Sequence, residues 1–304
     1  MSKPSLLDLI KKVDNVPLDF EQNHDPFYCL LIHPDPRPHG YIHPRTISTL
    51  SWPSQFTIDD SSRTVTLSAA SAKEVNEAFQ AACDVAVDGG LFPSLNGLHS
   101  EPFRIPGARY DEIIHLERFT SSLFGICTRG SHMTAFVRGA DALKIWVARR
   151  SKHLLTYPGM LDSTVAGGVK ASDSPWDCII AESDEEACLK KDLTENRVKS
   201  TGVITLVNRS PRTDLVHGEI LYVYDLELQD GETPTPQDGE VDAFELLEWQ
   251  DVVERMRAGE FKPNVCHVMI DFLIRHGLIT SDTDPDYVEI CTRLRRALPM
   301  PTSK

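Results

Sequence analysis

Positive charge is what this chain is short of. Its 31 lysines and arginines stand against 45 aspartates and glutamates, a formal net charge of −14 at pH 7. That balance excludes binding held by non-specific attraction to nucleic-acid phosphates, and it would repel a bare polyphosphate unless a bound cation or a local basic patch intervenes. Long apolar runs are missing too. No stretch approaches the ~20 residues of a membrane span, and the opening MSKPSLLDLIKK has no signal-peptide apolar centre. Paired cysteines are also missing. The seven present are odd in number and include no C-x-x-C, which argues against a disulfide framework or a structural zinc site. Scattered free thiols fit a reducing, cytoplasmic setting. What remains is the composition of a soluble globular protein, 41% hydrophobic and 25% charged. At 304 residues the chain is long enough for two domains.

The acidic excess has a focus. In GGVKASDSPWDCIIAESDEEACL, from Gly167 to Leu189, the spacing predicts a helix with Ser174 as N-cap, Pro175 at its first position and Asp177 three residues after the cap. Trp176, Ile179, Ile180 and Ala187 form an apolar stripe that would anchor it. Glu182, Glu185 and Glu186 fall at i, i+3 and i+4, on one side of the helix. Three carboxylates so placed repel one another unless a hard divalent cation sits among them. By spacing alone, an acidic solvated face remains the alternative. Gly167 and Gly168 read as a loop where backbone closely approaches another group.

Counted from Gly167, Asp173 follows after five residues, Ala181-Glu182 after seven more, then Glu185-Glu186 and Cys188-Leu189. This resembles the Nudix box. Asp173 replaces a glutamate, Ala181 an arginine, Ser183 an aliphatic residue and Cys188 a glycine, while the three metal-binding carboxylates remain. The flanks resemble the thiamine-pyrophosphokinase-related Nudix subgroup of fungi and plants: His132-Met133-Thr134, Lys144 to Ser151, Thr156 to Asp162, Asp238-Gly239-Glu240-Val241, Phe261-Lys262-Pro263-Asn264 and Pro285 to Ile290. The resemblance implies an α/β fold, a Nudix α/β/α sandwich beside a smaller N-terminal α+β domain. It implies Mg²⁺ or Mn²⁺ held by Glu182, Glu185 and Glu186, with Glu182, Glu185 and Glu240 as catalytic groups. The implied reaction is hydrolysis of a small-molecule diphosphate, of thiamine type or a damaged form of it. A non-catalytic diphosphate-binding module and a hydrolase of nucleoside diphosphate derivatives stand as alternatives. The domains are expected at 1–125, 126–280 and 281–304. For the first, whose sequence names no chemistry, two roles stay open: covering the substrate mouth or forming a homodimer. No nucleic-acid or membrane partner is expected.

Elsewhere, Leu6 to Val13 predicts a helix, Phe27 to Ile32 a strand, and His33 to Pro44, rich in Pro and His, a solvated loop. Gln55 to Leu67 predicts a hairpin about Asp59-Asp60-Ser61-Ser62, Ala72 to Val87 a helix stopped by Gly89-Gly90, and Pro93 to Pro106 a loop. A second hairpin turns at Gly139-Ala140-Asp141. Arg149, Arg150 and Lys152, just before the Gly-rich stretch, are candidate receivers of substrate phosphates, together with Gly167 and Gly168. Strands follow over Gly202 to Val207, Ile220 to Leu228 and Val241 to Leu247, and helices over Trp249 to Arg257, from Val265, and from Pro285. His267 and His276 are not read as metal ligands.

Overall fold

The computed structural model describes residues 3–92, 101–139 and 142–303. After an opening helix α1 (Leu6–Lys11), the first sheet holds β1 (Tyr28–Ile32), β2 (Asp35–Ile42), β3 (Phe56–Asp59) and β4 (Thr64–Leu67) in the order β2-β1-β4-β3. A short helix α2 (Pro44–Thr49) links its halves, and α3 (Ala72–Asp88) packs Val75, Ala78, Phe79 and Ala82 against Leu30, Ile32, Val65 and Leu67. Ser71 caps α3 by accepting from the Glu74 N–H.

The stretch from His33 to Pro44 is not a solvated loop. It forms β2, with Asp35 and His39 buried and facing each other at 3.4 Å. Pro36 and Pro38 lack the N–H that a central strand needs, but β2 lies at the sheet edge, where a missing donor leaves no partner unpaired. Of the loop expected over Pro93 to Pro106, residues 93–100 lie outside the described residues. Beyond them β5 (Pro102–Arg104) pairs with β6 (His115–Glu117).

The second sheet contains β7 (Thr128–Arg138), β8 (Leu143–Arg150), β9 (Leu161–Asp162), β10 (Val165–Gly168), β11 (Lys199–Arg209), β12 (Val216–Glu227) and β13 (Val241–Glu248). Its main order is β11-β12-β7-β8-β13, with β10 on β7 and β9 on β8. The expected β7–β8 hairpin pairs from Phe136 to Arg138, and its turn residues Ala140 and Asp141 lie outside the described residues. Further down, the two strands part, and β10 and β9 pair with their separated halves.

Alternation along the strands sends side chains to two faces. On one, Met133, Ala135, Tyr224 and Leu226 meet α4 (Pro175–Glu185), while α5 (Lys191–Arg197) follows that helix in the chain. On the other, Phe136, Leu221 and Val223 meet α6 (Trp249–Arg257), α7 (Val265–Arg275) and α8 (Tyr287–Arg293). The layers are α/β/α. Helix α1 belongs to this second core through Leu6, Leu7, Leu9 and Ile10. Behind it, buried Asp14 accepts from Arg296 at 2.8 Å and Arg293 at 3.1 Å. A division at residue 125 therefore parts α1 from its packing partners.

Candidate active site

Helix α4 starts as its cap residues dictate. The Ser174 hydroxyl accepts from the Asp177 N–H at 3.1 Å, and Asp177 accepts in return from the Ser174 N–H at 3.3 Å. Ile179 and Ile180 fix the rotation of the helix by entering the core, which turns Glu182 toward β10. A Cβ on Gly167 would stand 2.6 Å from Glu182 Cδ, and one on Gly168 would stand 2.7 Å from Phe103 Cζ. The two glycines are not a loop but the end of β10, paired with Ser131 and Gly130 of β7. They are needed because a carboxylate and an aromatic ring press on the strand, not because the chain turns.

Glu186 closes α4 as its C-cap, 6% exposed, and accepts the Ala166 N–H at 3.0 Å. Burial, then the charges of Glu185, Glu240 and Glu101, push the Glu182 carboxyl up to about 7. Burial and Glu182 push Glu186 well above the usual carboxylate range. No arginine, lysine or histidine forms an ion pair with Glu182, Glu185, Glu186 or Glu240 among the described residues.

Where β7 and β8 part, a cleft of about 460 Å³ opens. Gly167, Glu182 and Glu240 line one end. His217, Glu219, Lys262 and Asn264 line the other. A wall comes from the N-terminal half: Glu101, Phe103 and Arg118, with the Arg118 guanidinium 3.0 Å from Glu101 and 5.3 Å from the Phe103 ring centre. A small crevice beside the cleft holds Glu186, Glu240, Arg150 and Asp162.

The structure thus brings Glu182, Glu186 and Glu240 together and leaves Glu185 exposed at the helix end, where Glu182 still feels its charge. Among the basic candidates only Arg150 reaches the cleft, and its guanidinium is committed to Asp162 at 2.9 Å and to the Thr156 carbonyl at 3.0 Å. Arg149 points away and pairs with Glu245 at 2.6 Å, because neighbours on a strand face opposite sides. Lys152 is exposed outside the cleft. Nothing in the local sequence announces Glu101, Phe103 or Arg118. His132, Thr156, Tyr157, Lys262 and Asn264 do lie within the flanking motifs, which converge on this cleft from separate elements.

The donor set suits a hard divalent cation: carboxylate oxygens, from buried Glu186 to exposed Glu240, with no ion-pairing base among the described residues. Among the described residues no three His, Cys, Asp or Glu side chains already converge on one point, so Glu185 would have to turn inward to complete a set.

The NUDIX domain profile matches residues 128–266, from β7 into α7. Over 210 residues the chain is 33% identical to Nudix hydrolase 24, chloroplastic, of Arabidopsis thaliana, covering 68% of this chain and 55% of that protein. The chain belongs to the Nudix hydrolase family. It spans about half the length of that plant Nudix hydrolase. With the uncharacterized protein YJR142W of Saccharomyces cerevisiae it shares 33% identity over 320 residues, 98% of this chain and 92% of that one. Among solved structures, DR0079 of Deinococcus radiodurans is 22% identical, covering 56% of this chain and 98% of its own, with a TM-score of 0.43. No helix of this Nudix hydrolase is long and apolar enough, among the described residues, to cross a membrane.

Proposed function

We propose that this Nudix hydrolase cleaves the diphosphate bond of a thiamine-type diphosphate, using Mg²⁺ or Mn²⁺ held by Glu182, Glu185 and Glu186. The observation that carries the metal reading is a pair of carboxylates with no ion-pairing base among the described residues: part-buried Glu182 lining the cleft, and buried Glu186 in the crevice beside it. When bound, the cation supplies charge neutralisation at the phosphate oxygens and lowers the pKa of water.

The chain's own groups do the positioning. Gly167 and Gly168 let the Glu182 carboxylate and the Phe103 ring lie directly against the β10 backbone, which fixes both at the cleft. Phosphoryl transfer depends chiefly on such placement and on charge stabilisation. Water oxygen adds to phosphorus, the bridging P–O bond breaks, and a monophosphate and phosphate leave. Glu240 lines the cleft outside the acidic helix and accepts the water's proton. The Glu101–Phe103–Arg118 wall supports the first of the two roles considered for the N-terminal half, covering the substrate mouth. The thiamine reading rests on the flanking motifs, whose residues share the cleft with Glu182.

Phosphate release measured with Mg²⁺ and with EDTA, across thiamine diphosphate, ADP-ribose, diadenosine polyphosphates and nucleoside triphosphates, tests both parts. Activity in EDTA equal to that in Mg²⁺ would sink the metal assignment. ADP-ribose as the clear winner would refute the thiamine reading and leave diphosphate hydrolysis standing.

A further inference from the structure

The cleft has a second polar end that hydrolysis at Glu182 does not use. Glu219 stands there on β12, its side chain 15% exposed. Two neighbours hold it: His217 Nε2 lies 3.2 Å from one carboxylate oxygen, and the Asn264 amide donates to the other at 2.9 Å. Burial alone would push this acid up, yet His217, Asn264 and Lys262 keep it ionised, at about 2.

A carboxylate offers about four acceptor positions. Two are taken in the structure, and Glu219 lines the open cleft with the rest. Asn264 Oδ1 adds a buried acceptor with no partner. The nearest ammonium, that of Lys262, lies 3.5 Å from Asp162 and shares that acid with Arg150. This end therefore offers unfilled acceptors, on an ionised carboxylate and on an amide oxygen. A second phosphate would meet an anion here, whereas an N–H donor or a cationic nitrogen would meet its complement.

The register sets the span. Glu219 pairs across from Thr128 on β7, and three residues on, Ser131 of β7 pairs with Gly167 of β10, against which Glu182 of α4 lies. Two strand spacings across, roughly 10 Å, and three residues along β7, roughly 10 Å more, put Glu219 and Gly167 about 14 Å apart along the backbone diagonal. That distance suits one molecule with phosphates at one end and a heterocycle at the other.

We propose that Glu219, held by His217 and Asn264, recognises the non-phosphate end of the substrate, and that this end is an aminated or cationic nitrogen heterocycle. This rests on the reading that hydrolysis occurs at the Glu182 end, but the binding arm of its test does not. Binding of phosphate-free probes, thiamine and 4-aminopyrimidine with benzyl alcohol as the neutral control, is measured by calorimetry in EDTA. Wild type and Glu219→Gln are compared after matched thermal melts establish folding. Wild type should bind at least one of the nitrogen probes tenfold or more tighter than Glu219→Gln does, with no such difference for benzyl alcohol. Equal affinities for both nitrogen probes, or no binding by wild type, would overturn the proposal. In kinetics with Mg²⁺, Glu219→Gln should lower kcat/KM for thiamine diphosphate at least tenfold more than for methyl diphosphate. An equal loss on both would assign Glu219 to general architecture and overturn its recognition role, leaving diphosphate hydrolysis intact. If neither diphosphate is hydrolysed by wild type while thiamine still binds through Glu219, the catalytic reading falls and this one stands.

Discussion

Two groups of buried acids in this molecule are treated in opposite ways. Beneath and behind the second sheet, each buried aspartate has bases against it. Asp14 takes Arg293 and Arg296, Asp271 takes Arg275 and Arg295, and Asp225 takes Arg275 at 2.6 Å and His276 at 2.9 Å. At the cleft, buried Glu186 and part-buried Glu182 form no ion pair with a base among the described residues, and Glu186 has one backbone N–H. Burying a charge costs several kcal/mol unless a partner offsets it. The paired acids join segments distant in sequence. The unpaired ones are left without compensation, their carboxyls pushed up, at the place where a cation would meet them, and such perturbed acids commonly mark functional sites.

The strongest way to break the contrast is to remove a paired acid. Asp14→Asn should cost about 3–5 kcal/mol, because two guanidinium groups lose their buried partner. Denaturant unfolding should show this, while kcat at low temperature stays near wild type. The opposite result is expected of Glu186→Gln. Phosphate release should fall by about 10²–10³-fold, the scale of losing one electrostatic contributor. Stability in EDTA should hold or rise, since like-charge repulsion is relieved. A melt that drops as far as that of Asp14→Asn would show Glu186 to be structural.

A smaller effect should follow from Gly167→Ala. The new methyl group has no room beside Glu182, and the displaced carboxylate should cost up to about a hundredfold in kcat/KM. Acidification sharpens the comparison further. Burial pushes Asp225 up, but the bonds from His276 and Arg275 overcome it and hold it below its ordinary 3.8. Its contribution to stability is therefore present above that pH and lost as pH falls below it. Asp225→Asn should lose this part of the acid sensitivity, read from unfolding midpoints between neutral and acid pH. The smallest change is expected for Arg149→Ala. Its half-exposed pair with Glu245 is worth at most about 1 kcal/mol, so thermal stability and kcat/KM should stay close to wild type. A large loss of activity would return Arg149 to the list of phosphate ligands.

Local chemistry was legible in the residues themselves. The cap of α4 needs only Ser174, Pro175 and Asp177, all within one turn. The stop of α3 needs only Gly89-Gly90, the second at φ 58°. The i, i+3, i+4 placement of Glu182, Glu185 and Glu186 follows from helix pitch alone. Where long-range pairing intervenes, local signals misled. Proline in β2 suggested a loop, and it took the edge position of the strand to accommodate it. Arg149 and Arg150 are equivalent as a dipeptide, and strand alternation separates them.

By itself, then, the sequence determined the helix that carries the acids, the alternation of the strands and the Nudix spacing, because each depends on neighbours within a turn or a pleat. Only the tertiary structure decided which acids stay unpaired, that Phe103 and Arg118 close the cleft over Gly168, and that Glu219 faces the same space as Glu182. These relations join residues tens of positions apart. They exist only once the β5–β6 pair packs on the second sheet and β7 and β8 part, so no local period in the chain records them.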